Sequence, residues 1–202
     1  MTNAIIFDYG KVIGNDPSEH IYNAISKEFK VELQKIKSEF LNFIIPLEIG
    51  EISDDFFWKK IAQNLNIGDH AKLRKIWLKE FSDHMRMDSK MITTIENLSK
   101  KYKLCLLSNN AVFYQTKRIS CQLEKLFPIQ IFSFKVGMRK PEKEIYDLVL
   151  EKLKIQPNEC LIIDDNEKCL IYPRELGMKT IHFQDFESFI KELKEKIKIN
   201  KK

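Results

Sequence analysis

At 202 residues the chain is long enough for one full-sized domain, or for a core domain carrying a small insert. Hydrophobic residues make up 44% and charged residues 31%, an ordinary globular balance that excludes a disordered or fibrous chain. The net charge of +5 is modest and gathers partly in the terminal KELKEKIKINKK, with no basic recognition motif, which argues against a nucleic-acid partner.

The four cysteines, Cys105, Cys121, Cys160 and Cys169, show no CxxC or Cys/His metal spacing. Reduced cysteines packed as small hydrophobes are expected. No signal segment precedes the first apolar run and no run is long enough to span a bilayer, so the expectation is a cytoplasmic protein without a membrane partner.

In chain order, five apolar runs read as strands: AIIFD, KLCLLSN, IQIFSF, CLIID and KTIHF. They are continuous rather than alternating, as in strands buried on both faces of a mainly parallel sheet. Helical periodicity marks 111–125, 141–154 with Pro141 in its first turn, and 185–199. The alternation predicts an α/β fold. Residues 14–86 contain no strand-like run and read as several amphipathic helices inserted after the first strand. The clearest is ISDDFFWKKIAQNL, with Ser53 as N-cap and Asp54 and Asp55 in the first turn. Phe56, Phe57, Trp58, Trp77 and Phe81, at helical spacings, are expected to form the core of this insert, and Gly50 to end a helix.

Polar residues cluster where the strands end. The first run ends on Asp8, the second on Ser108 and Asn109, the fourth on Asp164 and Asp165, and Lys140 precedes Pro141. Each alone is ordinary turn or cap chemistry. In an open parallel sheet, however, the carboxyl ends of the strands converge on one ligand site. Acidic groups converging there repel one another, and a hard divalent cation such as magnesium relieves that repulsion. A hydroxyl and an ammonium beside them suit a transferred phosphoryl group. The nucleophile is then water or a carboxylate.

These segments, in this order, resemble the four motifs of the haloacid dehalogenase superfamily. They are IIFDYGKVI, LCLLSNN, VGMRKPEKEIY, and CLIIDDNEKCL followed by ELGMKTIHF. LEIGEISDDFFWKKI resembles the helical cap of the branch that includes bacterial sugar-1-phosphate phosphatases. The resemblance implies a Rossmann-like α/β core, residues 1–13 and 87–202, with a small all-helical cap at 14–86. It implies a Mg²⁺-dependent phosphatase acting on small phosphorylated metabolites through an aspartyl-phosphate. Asp8 would be the nucleophile. Asp8, the Gly10 carbonyl and Asp165 would hold the metal, with Asp164 auxiliary. Ser108 and Lys140 would bind the phosphoryl group, and Asn109 would help shape the phosphate-binding loop.

Two positions depart from the family pattern. Gly10 stands where these phosphatases usually carry a second Asp, the acid–base group, a loss worth roughly 10²–10⁴ in rate. Either the substrate has a good leaving group or a cap residue supplies the proton, with Asp16, His20, Glu48 and Glu51 as candidates. Cys169 stands where relatives often have Asn or Asp. Two alternatives follow: a binding protein that keeps the fold without catalysis, and a 2-haloacid dehalogenase. The acid pair Asp164–Asp165 argues against the dehalogenase, which needs no metal.

Overall fold

The computed structural model describes residues 1–111 and 117–197. Strand β1 (Ala4–Phe7) is the middle of a five-stranded parallel sheet of order β3-β2-β1-β4-β5. Its neighbours are β2 (Lys103–Ser108) and β4 (Cys160–Asp164), flanked by β3 (Ile129–Phe132) and β5 (Lys179–His182). In register, Ile6 lies between Cys105 and Ile162. All five strands coincide with the apolar runs of the sequence.

Alternate residues of β1 enter two separate apolar layers. Ile5 and Phe7 join Leu104, Leu106, Leu161 and Ile163, whereas Ala4 and Ile6 join Cys105, Leu107, Cys160 and Ile162. Successive side chains of a strand point to opposite faces, so a strand apolar at every position is one covered on both. The first layer is closed by Met91 and Ile95 of α5 (Ser89–Ser99), Leu123 of α6 (Lys117–Leu126) and Phe189 of α10 (Phe186–Lys196). The second is closed by Tyr146 and Val149 of α8 (Lys143–Leu153) and Leu170 of α9 (Lys168–Glu175). A four-residue helix, α7 (Ser133–Val136), follows β3 directly.

Between β1 and α5 lie α1 (Ser18–Phe29), α2 (Leu33–Glu48), α3 (Asp54–Asn64) and α4 (His70–His84). They pack around an aromatic cluster in which Trp58 lies 5.1 Å from Phe57 and 6.0 Å from Trp77, ring centre to ring centre. Ser53 caps α3 by accepting from the Phe56 amide at 3.2 Å, and Asp69 caps α4 from the Lys72 amide at 2.8 Å. Gly50, at φ +73°, turns the chain after α2, and a Cβ there would lie 3.1 Å from the Phe134 carbonyl oxygen. The loop after α2 is therefore pressed against the segment that leads to Arg139 and Lys140.

Two expectations change, and two expected helices run past the described residues. Phe56 is 49% exposed, because neighbouring positions on α3 point about 100° apart and Phe57 and Trp58 take the inward side. Pro141 does not open a helix. The chain first turns, with the Glu142 amide donating to the Arg139 carbonyl at 2.9 Å, and α8 starts at Lys143. The expected helix 111–125 is present from Lys117, its earlier part lying outside the described residues apart from Ala111, which is not helical. Helix 185–199 is α10, capped by Asp185, with its last two residues outside that range.

Candidate active site

Each fully buried Ile or Phe in the strands stabilises the fold by about 1.5–3 kcal/mol, so polar residues buried at the strand ends need a different reason. Asp8 follows β1, its amide continuing the ladder to the Ile163 carbonyl at 2.9 Å. Ser108 ends β2 and Asp164 ends β4. Asp8, Ser108, Lys140 and Asp164 are 9%, 3%, 3% and 1% exposed. Asp165, the next residue after β4, is half-buried.

Lys140 ties these groups together. Its Nζ lies 2.8 Å from Asp8 Oδ1 and 2.5 Å from Asp164 Oδ2. The second Asp164 oxygen accepts from the Asn166 amide at 2.9 Å. Asp164 is thus held by donors at both oxygens, while Asp165 keeps an open side. Asn109 fixes the lysine from behind, its Nδ2 donating to the Lys140 carbonyl and its Oδ1 accepting from the Lys140 amide, each at 2.8 Å. Its amide side chain therefore acts on the loop around Lys140.

Asp8, Asp164 and Asp165 each present a carboxylate oxygen within 4.8 Å of the others. At that separation two buried carboxylates repel by about 3–4 kcal/mol at an effective dielectric near 20. Burial, and secondarily the Asp164 charge, push Asp8 up to about 6 against the pull of Lys140. Burial and Asp164 also raise Asp165. Burial works against the Lys140 ammonium, but Asp8 and Asp164 outweigh it and hold the lysine charged. Three carboxylates against one ammonium leave two negative charges uncompensated, which a hard divalent ion with oxygen ligands would balance. The donor set fits magnesium.

A cavity of about 330 Å³ opens over this cluster and is also lined by Gly10, Lys11, Asp16, Glu48, Arg139 and Cys169. That is the lower end of the roughly 300–1,000 Å³ typical of small-molecule sites. Among the described residues a Cβ built on Gly10 meets nothing within 4 Å, so the glycine is not a steric necessity there. Cys169 is buried, its thiol pushed up to about 12 by burial and then by Asp164, and stays neutral. Of the four residues considered as proton donors, two line the cavity. Asp16 accepts from the Ser18 amide and hydroxyl; these bonds and Lys11 outweigh burial and hold its carboxyl low. Glu48, at the end of α2, pairs with Arg139 at 3.1 Å and is raised by burial against that pairing. His20 instead stacks on His84 at 4.2 Å, and Glu51 is exposed; neither lines the cavity.

Sequence reasoning passed over three features. Arg139 was visible only as a letter in the third motif, and its partner lies 91 positions away. His182 Nε2 contacts the Asp165 carbonyl at 2.9 Å, fixing the backbone beside the acid pair. Tyr146 donates to the Cys169 carbonyl at 2.6 Å and anchors α9 to α8. None of these carries a local sequence signal, because each joins separate elements.

Comparison with known proteins bears on the family and the fold. The chain is 32% identical over 143 residues to bifunctional epoxide hydrolase 2 of Sus scrofa, covering 67% of this chain but only 26% of that one. The chain thus spans about a quarter of that relative's length. It is 25% identical to D-ribitol-5-phosphate phosphatase of Bacteroides thetaiotaomicron, covering 96% of this chain and 97% of the relative. The fold matches a HAD family enzyme of Bacteroides thetaiotaomicron in complex with magnesium and inorganic phosphate, at TM-score 0.77 and 23% identity, covering 94% of this chain and 99% of that one. A family model for haloacid dehalogenase-like hydrolases matches residues 5–183, most of the chain, and the protein belongs to that family.

Proposed function

We infer that the protein is a magnesium-dependent phosphatase of small phosphorylated metabolites, sugar phosphates above all and a sugar 1-phosphate among them, working through an aspartyl-phosphate on Asp8. The observation that carries this reading is the buried lysine between Asp8 and Asp164, with Asp165 beside them, at the carboxyl ends of adjacent strands. The ribitol-phosphate relative supports the substrate class. Among the described residues no helix is long and apolar enough to cross a bilayer.

Asp8, the Gly10 carbonyl and Asp165 would hold Mg²⁺, with Asp164 steadied by Lys140 as the auxiliary acid. When bound, the ion supplies positive charge to the phosphoryl oxygens and the nucleophile. An Asp8 carboxylate oxygen attacks phosphorus, the bond to the leaving oxygen breaks, and that oxygen departs with the electron pair and takes up a proton. Water then attacks the same phosphorus, the Asp8–phosphorus bond breaks, and the carboxylate returns as phosphate and a proton leave. Lys140 offsets charge in both steps, and Ser108 hydrogen-bonds a phosphoryl oxygen. Residues 14–86 act as a cap that narrows the site and limits water. The absence of an acid at position 10 favours esters whose leaving oxygen needs little protonation.

Phosphate release from sugar phosphates, acetyl phosphate and an aryl phosphate, with Mg²⁺ or EDTA, tests the reading. Metal-dependent release by the wild type and none by Asp8→Asn is expected. Equal release by both proteins, or none on any ester, would leave a non-catalytic binding protein as the better account.

A further inference from the structure

The charged side chains around the cavity are grouped in pairs, and the grouping bears on what leaving group the cavity accepts. Among the described residues its cations are Lys11, Arg139 and Lys140. Lys140 is committed to Asp8 and Asp164. Lys11 faces Asp16 at 3.6 Å on the more open rim. Arg139 Nη2 contacts Glu48 Oε2 at 3.1 Å, and this pair is the more enclosed, with side chains 22% and 14% exposed. No lining cation among the described residues is left over to receive a second anionic group.

The Arg139–Glu48 pair joins two parts of the chain. Glu48 closes α2, and the Gly50 turn behind it is held against the Phe134 carbonyl. Arg139 immediately precedes Lys140, whose backbone Asn109 clamps. Both partners are therefore anchored by their backbones rather than hanging on a free surface. Their contact is one-sided. Only Oε2 of Glu48 receives the guanidinium, and Arg139 Nε is buried without a hydrogen-bond partner among the described residues.

We propose that the Glu48–Arg139 pair selects phosphate esters with an uncharged, hydroxylated leaving group, and that Glu48 is the residue that rejects a second acidic group, a selectivity that rests on the phosphatase function proposed above. A hydroxyl donates to the carboxylate oxygen that Arg139 leaves open. A carboxylate or second phosphate on the substrate meets Glu48 as a like charge. To reach Arg139 it must displace Glu48, leaving that acid enclosed without its cation.

The matched test pair is glucitol 6-phosphate and 6-phosphogluconate, which share the phosphate ester and differ at the far carbon, a hydroxymethyl in one and a carboxylate in the other. Wild type is expected to favour the neutral ester by about 100-fold or more in kcat/KM, the scale reached when like charges are forced together. Glu48→Gln, which frees Arg139, is expected to shrink that ratio to within about tenfold. Arg139→Gln, which leaves Glu48 unpaired, is expected to hold or widen it. A merely structural loosening would move both variants in one direction. Comparable turnover of the two esters by the wild type, or a ratio unchanged in Glu48→Gln, overturns the proposal while leaving the phosphatase function standing. If neither ester is hydrolysed, calorimetric binding of the same two with Mg²⁺ reads the same ratio. A preserved preference in binding upholds the selectivity, the wider ester panel deciding the phosphatase function separately, and no binding of either ester overturns the selectivity.

Discussion

Asn109 and Lys140 grip each other by two reciprocal hydrogen bonds, each 2.8 Å, between the amide side chain of one and the main chain of the other. The ammonium at the end of that clamped residue lies between Asp8 and Asp164. An error in the backbone is thus passed directly to the charge beside the nucleophile. Asn109→Ala is expected to lower kcat by about 10–100-fold, the cost of a small misplacement of a positioned group, with KM changed less. Its stability should fall by about 1–3 kcal/mol for the two lost bonds. Steady-state kinetics and urea unfolding measure the two effects, and a variant with wild-type kcat would show that Lys140 is held by other means.

Gly10 invites a gain of function. Among the described residues a Cβ there meets nothing within 4 Å, so Gly10→Asp meets no steric barrier, and with Mg²⁺ present to offset the added charge its stability should lie within about 1 kcal/mol of the wild type. The new carboxyl would stand two residues after the nucleophile, where the family usually places its acid–base group. Turnover of alkyl phosphates, whose leaving oxygen needs a proton, should rise by up to about 10²-fold, the lower end of general acid catalysis. Aryl and acyl phosphates should change little. A uniform change across all esters would mean the substitution acts on metal or phosphate binding instead.

The parts legible in the sequence are those governed by local rules. Strands β1 and β4 are apolar on both faces, and that alone separates Ala4–Phe7 and Cys160–Asp164 from the helices around them. Asp8, Ser108 and Asp164 were readable because parallel strands bring their ends to one edge whatever the loops do. Helix α9 was not singled out, since it is eight residues long and contains Pro173. Helix α5 carries an apolar spacing at Met91, Ile95 and Leu98 that would have revealed it. The Glu48–Arg139 pair was invisible for a stronger reason, because nothing near position 48 encodes a partner 91 residues on.

The raised Asp8 carboxyl gives the metal-free protein a defined pH response. An aspartate near 3.8 in the unfolded chain and about 6 in the folded one binds its proton more tightly when folded. The unfolded state therefore holds fewer protons between those values, and stability falls as pH rises through about 4 to 6. Asp165, also raised, acts in the same direction. In EDTA the melting temperature should accordingly decline over that interval, and Mg²⁺ should restore more stability at pH 7 than at pH 5. Asp8→Asn should flatten much of the decline. A melting temperature that climbs across this range in both wild type and variant would place the controlling titration elsewhere.

Phe56 and Trp58, two residues apart on α3, should respond oppositely to truncation. Trp58 is fully buried, lies between Phe57 and Trp77, and donates its indole N–H to Asp54 at 2.6 Å. Trp58→Ala removes a large ring and leaves a cavity, a change that costs about 3–5 kcal/mol. Phe56 is 49% exposed, so Phe56→Ser should shift stability by no more than about 0.5 kcal/mol. Urea midpoints of the two variants separate the cases. If Phe56→Ser proved as damaging as Trp58→Ala, the outward face of α3 would have to be covered by another surface in solution, for example a second copy of the chain.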